Sequence, residues 1–114
     1  MEITLSLQGE IPVFHLSGRL DATTSPLLED RLKPLLSIEG AQVIFDCSDL
    51  NYVSSAGLRV FIMTQRMIVT QRGGVAFVSL TPPVRELFQL AGLENLFTIV
   101  ESLPEAVTAL SKYI

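Results

Sequence analysis

The feature that most constrains the fold is an alternation of short apolar runs with segments whose apolar residues recur at helical spacing. Residues 43–45, 75–80 and 97–100 form such runs, and leucine, valine and phenylalanine recur every three or four residues in the segments around them. Strands that alternate with helices pair in parallel, because parallel neighbours need a crossover connection. The sequence therefore predicts an α/β fold with an open, mostly parallel sheet.

The N-terminal region departs from this alternation. Ile3, Leu5 and Leu7 alternate with polar residues, and a second run, residues 11–16, follows Gly9-Glu10. These two runs predict an antiparallel hairpin, which makes the sheet mixed. Residues 43–45 are almost wholly apolar, which is typical of a central strand buried on both faces. The predicted order is ββαβαβαβα, with about five strands and four helices.

Capping residues and helix breakers set the predicted helix boundaries. Ser25 before Pro26 predicts the start of the first helix with Ser25 as its cap, and Ser102 with Glu105 forms a capping box for the last. The second helix is predicted from about Ser55 to Arg72, and the third begins at Thr81-Pro82-Pro83. The predicted stops are Pro34, Gly73-Gly74 and Gly92.

Size and composition exclude several classes of protein. The chain has 114 residues, 48% of them hydrophobic and 18% charged, which predicts one globular domain over residues 1–114. No apolar run approaches the ~20 residues of a membrane span, and the N-terminus lacks the pattern of a signal peptide, so we expect a cytoplasmic protein. A net charge of -4 argues against nucleic acid. One cysteine and one histidine argue against a disulfide or zinc, and no cofactor is expected.

Two segments are predicted to follow strands at the edge of the sheet where ligands usually bind: Gly18-Arg19-Leu20-Asp21 and residues 46–57. Ser54 or Ser55 is expected to cap the second helix, where a phosphate would meet free amide groups and the positive end of the helix dipole. Asp46, Asp49 and Asp21 are expected nearby, so an added phosphate would change the surface charge sharply. Gly57 inside a helix suggests close approach by another backbone.

Considered by itself, a serine at a helix start is most simply an ordinary cap. The sequence of residues 46–61, DCSDLNYVSSAGLRVF, however, resembles the signature of anti-sigma factor antagonists of the STAS-domain family. Gly18-Arg19-Leu20-Asp21 is similar to the family's Gly-x-Leu-Asp turn, and residues 73–74 and 84–93 resemble its downstream helix and turn. The likeness spans nearly the whole chain.

The resemblance implies a phosphorylation switch. The family's Asp-Ser-Ser-Gly-Leu motif falls on Ser54-Ser55-Ala56-Gly57-Leu58, with Ser54 in place of the aspartate and Ala56 in place of the second serine. This alignment makes Ser55 the phosphoacceptor and leaves Ser54 as a second hydroxyl beside it. The implied partners are an anti-sigma factor that is also the serine kinase, and a serine phosphatase that resets the switch. Predicted partner contacts are Asp21, Asp46, Ser54, Ala56, Gly57, Arg59 and Met63.

The second helix allows two interpretations. Leu58, Phe61, Ile62 and Ile68 are predicted to form its core face, while Val60, Met63 and Met67 extend apolar character around it. Exposed apolar residues beside a switch serine would suit a docking surface, whereas a helix that is apolar all round is normally buried.

Two other functions compete with the switch. A serine enzyme would need a base, but no Gly-x-Ser-x-Gly elbow is present, and His15 would have to reach Ser55 from another strand. His15 has no obvious carboxylate partner in the sequence, and Cys47 is interpreted as a small buried hydrophobe. The other alternative is a non-switching scaffold or regulatory domain of a stress-signalling complex.

Overall fold

The strands and helices occur in the predicted order. The computed structural model describes residues 1–111 and contains strands β1 (Glu2–Gln8), β2 (Ile11–Leu20), β3 (Gln42–Val53), β4 (Gly74–Val78) and β5 (Thr98–Val100). The helices are α1 (Ser25–Leu32), α2 (Ser55–Thr70), α3 (Pro82–Leu90) and α4 (Leu103–Leu110). The predicted order ββαβαβαβα is confirmed.

The five strands form one mixed sheet in the order β1-β2-β3-β4-β5. β1 and β2 pair antiparallel through the turn at Gly9-Glu10, whereas each later pair is parallel. β3 is therefore the central strand, as predicted. Among residues 1–111, no helix is long and apolar enough to cross a membrane.

Helices cover the sheet on both faces. Phe14, Phe45 and Phe77 point to the face where side chains of α1, α2 and α3 complete the larger core. Val13, Ile44 and Ala76 point to the opposite face, where Ala106 and Leu110 of α4 cover them. Val43, Ile44 and Phe45 are all fully buried, so the prediction of a strand buried on both faces is confirmed.

β3 is much longer than the apolar run that predicted it. The polar residues after Phe45 suggested a loop, but the strand continues to Val53. Beyond Asp46, β3 pairs with β2 alone, because the register with β4 ends at Asp46. On one side this part of β3 has no paired strand, and the Thr81 hydroxyl donates to the Leu50 carbonyl at 2.7 Å. Cys47, Leu50 and Val53 remain buried. The prediction that residues 46–53 follow the strand is wrong, and Gly18, Arg19 and Leu20 likewise lie inside β2.

The predicted cap is correct for α4 but wrong for α1. Ser102 Oγ accepts a hydrogen bond from the Glu105 backbone N–H at 3.3 Å. Ser25, by contrast, is the first residue of α1 and is buried, and its hydroxyl has no partner among the described residues. The backbone N–H groups of Thr23 and Thr24, just before α1, instead donate to the Asp21 carboxylate and form a turn.

The ends of the helices also show one confirmed prediction and one correction. α1 gives way to a single 3-10 turn at Lys33–Leu35, as Pro34 predicts. α2 ends in a Schellman motif, in which the Gly73 N–H donates to Ile68 and the Arg72 N–H donates to Val69, both at 2.9 Å. The left-handed residue of this motif is Arg72, with φ 65, and not a glycine.

Gly73 is required for packing. A Cβ atom at this position would lie 1.8 Å from the carbonyl oxygen of Ala41, which is a backbone atom that cannot rotate away. We predict that Gly73→Ala lowers the free energy of unfolding by about 2–4 kcal/mol. Urea denaturation followed by circular dichroism measures the change.

Gly92→Ala is the matched control for this variant. Gly92 has φ +70 but open space around the added atom, so only the backbone strain of about 1 kcal/mol is expected. Equal losses in the two variants would contradict the clash with Ala41.

Candidate functional site

Ser54 joins β3 to α2 and is hydrogen-bonded to the last residue of β2. It is the N-cap residue, with its Oγ accepting a hydrogen bond from the Gly57 N–H at 3.3 Å. Its own N–H donates to the carbonyl of Leu20 at 2.8 Å, and its carbonyl accepts the first helical bond, from Leu58 N–H at 2.9 Å. Of the two serines predicted to cap α2, Ser54 therefore performs that role.

Ser55 is the first helical residue and its side chain is exposed. Among residues 1–111, its hydroxyl has no hydrogen-bond partner, and neither do the N–H groups of Ser55 and Ala56. The first turn of α2 also contains no acidic residue. An exposed hydroxyl thus lies beside two free donors at the positive end of a 16-residue helix, where an anion gains about 0.3–2 kcal/mol.

Asp21 lies next to this helix start, because it follows Leu20, whose carbonyl binds Ser54. Its carboxylate accepts hydrogen bonds from the N–H groups of Thr23 and Thr24 at 3.0 and 3.1 Å. The Thr24 N–H is the main reason why the pKa of Asp21 lies below its ordinary value. Asp21 therefore carries a negative charge at neutral pH, at the same edge of the sheet as Ser54 and Ser55.

A groove of about 220 Å³ runs between the first halves of α1 and α2. The two helices contribute similar positions, since Ser25 and Glu29 are four residues apart, as are Arg59 and Met63. We call this surface the α1/α2 groove; its lining residues are Ala22, Ser25, Pro26, Glu29, Ala56, Arg59, Val60 and Met63. Predicted contacts Ala56, Arg59 and Met63 all line it.

The faces of α2 differ in part from the prediction. Phe61 and Ile68 are buried as predicted, but Val60 and Thr64 join them, while Leu58 and Ile62 are only half-buried. Met63 is half-buried in the α1/α2 groove, and Met67 is 42% exposed. α2 is therefore not buried on all sides. Met63 is one of its apolar residues that remain partly exposed, and it lines the α1/α2 groove.

Gly57 allows side chains, rather than another backbone, to approach the helix. An added Cβ would lie 2.8 Å from Val53 Cγ1 and 2.9 Å from two atoms of Leu20. The close neighbours are thus the last residues of β2 and β3, which pair with each other. Gly57 is buried, and its lack of a side chain lets the helix pack against these strand ends.

Asp46 lies away from Ser55, and this corrects the expectation that the two are neighbours. It pairs with His15 of β2, whereas Val53, the residue before Ser54, pairs with Leu20, which lies five residues or about 16 Å further along β2. His15 Nδ1 lies 2.7 Å from Asp46 Oδ2, and the Ser6 hydroxyl lies 2.7 Å from His15 Nε2. The prediction that His15 lacks a carboxylate partner is therefore wrong.

The chain of hydrogen bonds through His15 stabilises the ionised form of Asp46. Burial by itself would raise the pKa of the Asp46 carboxyl, but hydrogen bonds from the Ser48 N–H and from His15 outweigh it. The pKa of Asp46 therefore lies below its ordinary value. These hydrogen bonds link Ser6 of β1, His15 of β2 and Asp46 of β3, so Asp46 has a structural role.

Both ring nitrogens of His15, the single histidine of the chain, are bonded to Ser6 and Asp46, and neither is bonded to Ser55. Cys47 is fully buried, as predicted, and burial raises the pKa of its thiol far above the ordinary value, so it remains a thiol. Within the described part of the chain, no three His, Cys, Asp or Glu side chains are grouped so that they could hold a metal ion.

Sequence reasoning missed the α1 wall of the groove and one aromatic contact. Ser25 and Glu29 have the four-residue spacing of a helix face, which could have indicated a wall opposite Arg59. The guanidinium of Arg19 stacks over the ring of Tyr52 at 4.2 Å, next to the pair formed by Leu20 and Val53. That contact depends on strand register and has no signal in the sequence.

The fold and this site define a small α/β domain whose central helix begins with an exposed serine beside a groove. The chain belongs to the STAS domain family, whose model matches residues 2–106. It is 31% identical over 85 residues to the anti-sigma-B factor antagonist of Bacillus subtilis, covering 75% of this chain and 77% of that protein.

Solved structures share the fold. The unphosphorylated form of the anti-sigma factor antagonist SpoIIAA matches with a TM-score of 0.80 and 19% identity, covering 99% of both chains. The phosphorylated form of the Bacillus cell fate determinant SpoIIAA matches with a TM-score of 0.72 and 19% identity, covering 95% of this chain and 98% of that one. These likenesses confirm the predicted fold class.

The lowered pKa of Asp46 predicts a pH-dependent contribution to stability. Because the folded state favours the ionised carboxylate, the contribution is present above the ordinary pKa of about 4 and is lost as the pH falls through the lower folded-state value. We predict that Asp46→Asn lowers the free energy of unfolding by about 1 kcal/mol at neutral pH. The difference from wild type should shrink as the pH falls below about 4, as measured by urea denaturation.

Asp49→Asn is the matched control, since Asp49 is an exposed carboxylate three residues further along the same strand. Asp49→Asn should have the same free energy of unfolding as wild type at neutral pH and below about pH 4. A constant deficit for Asp46→Asn at all pH values would contradict a role for its charge.

Proposed function

We propose that this protein is an anti-sigma factor antagonist controlled by phosphorylation of Ser55. The unphosphorylated protein binds an anti-sigma factor and thereby releases a sigma factor, and phosphate on Ser55 weakens that binding. The observation that carries the proposal is the exposed, unbonded Ser55 hydroxyl at the first position of α2, with Ser54 already occupied as the cap.

The names of related proteins support the proposed action as an anti-sigma factor antagonist. The Bacillus subtilis relative is an anti-sigma-B factor antagonist, and the neighbour SpoIIAA has been solved in both an unphosphorylated and a phosphorylated form. The resemblance of residues 54–58 to the family motif supports Ser55 as the acceptor. We infer that the anti-sigma factor is itself the serine kinase, that a serine phosphatase resets the switch, and that the exchange occurs in the cytoplasm without direct contact to nucleic acid.

The α1/α2 groove is the proposed docking surface. It offers apolar contact at Met63 and Val60, a positive charge at Arg59 and a negative charge at Glu29. Ala56, at one end of the groove, directly follows Ser55, and Asp21 is held by its turn at the same edge of the sheet. Asp46 and Gly57 do not line this groove.

Arg59 gives phosphorylation a direct route to the groove. Residues four apart share one face of a helix, so Ser55 and Arg59 lie one turn apart on α2. A phosphate on Ser55 would attract the Arg59 guanidinium and form charge-assisted hydrogen bonds with it. Arg59 would then be withdrawn from any carboxylate of the partner, and the added negative charge would repel that carboxylate.

We predict that the cognate kinase phosphorylates Ser55 alone. Ser55→Ala should take up no phosphate, because the remaining hydroxyl of Ser54 is bonded in the cap. Ser54→Ala should still be phosphorylated, although it loses about 1 kcal/mol of stability with the cap. Intact mass and peptide mapping after incubation with kinase and ATP give the result.

Phosphate on Ser55→Ala would show that Ser54 is the acceptor. Failure of the kinase to modify any variant, although the protein binds it, would favour the alternative function of a non-switching STAS scaffold or regulatory domain in a stress-signalling complex.

We predict that Ser55→Asp weakens binding to the anti-sigma factor about tenfold, equivalent to about 1.4 kcal/mol. Ser54→Asp is the matched control, since aspartate also caps a helix and places the same charge one residue earlier, away from the face of Arg59. Isothermal titration calorimetry compares the two. Equal affinities of both variants and wild type would contradict the proposed mechanism.

The groove itself is tested on α2. We predict that Met63→Lys weakens binding about tenfold, because a charge replaces apolar contact in the α1/α2 groove. Met67→Lys makes the same change one turn along the helix, outside this groove, and should leave affinity unchanged. A larger loss for Met67→Lys would move the docking surface to the second half of α2.

A further inference from the structure

β1 forms an outer edge of the sheet without the usual protection. Among residues 1–111, only β2 pairs with it, over the full register from Glu2 opposite Ser17 to Gln8 opposite Ile11. That register has no shift and hence no bulge. Natural edge strands are usually blocked by lysine, proline, bulges or shortness. β1 has seven residues, EITLSLQ, with no lysine, arginine or proline and one charge at its end.

The apolar side chains of this strand are also largely uncovered. Leu5 is 54% exposed and Leu7 is 67% exposed, and both alternate with Ser6. The same face continues into a groove of about 360 Å³ beside α1, which includes Ile3 and Leu27. Leu27 is itself 55% exposed. Exposed leucines are therefore continuous from the strand edge to the neighbouring helix.

The hairpin turn determines which backbone groups point outward. In a two-residue turn, the flanking residues Gln8 and Ile11 form a hydrogen-bonded pair, and such pairs alternate along an antiparallel ladder. Gln8, Ser6, Thr4 and Glu2 thus direct their N–H and C=O groups toward β2. Ile3, Leu5 and Leu7 direct theirs to the free edge. The residues with unpaired backbone groups are the same three that carry the apolar side chains.

We propose that two copies of this chain associate through β1, with the strands antiparallel and Leu5 opposite Leu5 of the second copy. This register pairs Ile3 with Leu7 of the second copy and engages the outward N–H and C=O groups of all three residues. It extends the sheet across a two-fold axis, and the interface is self-complementary. The proposal does not rest on the phosphorylation switch.

The charges favour a second copy as the occupant. Glu2 is the only charged residue in β1, and in this register it faces Gln8 of the second copy and not another carboxylate. The strands overlap over their whole length, so no polar end opposes an apolar residue. Like charges opposite each other across strands are destabilising, and this pairing has none. A seven-residue edge is short compared with a stable interface of ~800 Å² per partner, so the dimer should be reversible and concentration-dependent.

Sedimentation equilibrium of the full chain tests the proposal. From low micromolar to submillimolar concentration, the average mass should rise from the 12.5 kDa of one chain toward twice that value. Leu5→Lys and Leu5→Glu should each remain monomeric, because like charges then face each other at the two-fold axis. An equimolar mixture of the two variants should regain the dimer, because the charges at this position are then opposite.

Leu90→Lys is the matched control, since Leu90 on α3 is 78% exposed and lies outside the edge. It should dimerise like wild type, and thermal denaturation should show that each monomeric variant remains folded. A wild-type mass of one chain at every concentration would overturn the proposal. If wild type dimerises and Leu5→Lys does so equally, the β1 register is wrong. The register is also wrong if wild type dimerises while the mixture of Leu5→Lys and Leu5→Glu remains monomeric.

Discussion

The packing of Phe45 at the centre of the sheet determines where the functional helix lies. Its ring centroid lies 5.1 Å from that of Phe61 on α2 and 5.2 Å from that of Phe77 on β4. Aromatic rings of this kind bury large areas and are held in specific geometry. Because Phe61 lies within two turns of the helix start, the contact that holds α2 on the sheet also sets the position of Ser55. The exposed site thus depends on the most deeply buried residues.

Much of the fold follows from local patterns, and the errors occur where tertiary pairing overrides them. The strand order and the burial of residues 43–45 were predictable because both depend on the spacing of apolar residues. The extension of β3 to Val53 was not, because no apolar run marks it and it depends on pairing with β2, which lies far away in the sequence. The end of α2 likewise suggested glycine for its conformation. The structure instead places Arg72 in the left-handed position and needs Gly73 for its small size.

The site also combines features that the sequence predicts with features that depend on tertiary pairing. The cap of α2 and its exposed serine follow from two adjacent hydroxyls at a helix start, and the resemblance to a family selects Ser55 as the acceptor. The partner of His15 could not be predicted, since Asp46 is 31 residues away and meets it only through the register of β2 and β3. For the same reason, a carboxylate that is close to Ser55 in sequence belongs to a different part of the sheet.

The cap formed by Ser54 has a consequence for chemical selectivity. In an unfolded chain, Ser54 and Ser55 are adjacent hydroxyls with nearly the same surroundings, and an enzyme acting on that segment would have to choose between them by sequence alone. In the folded chain, one hydroxyl is committed to the Gly57 N–H and the other is free. The choice is then made by the fold, so modification restricted to one serine is also a record that the helix had formed beforehand.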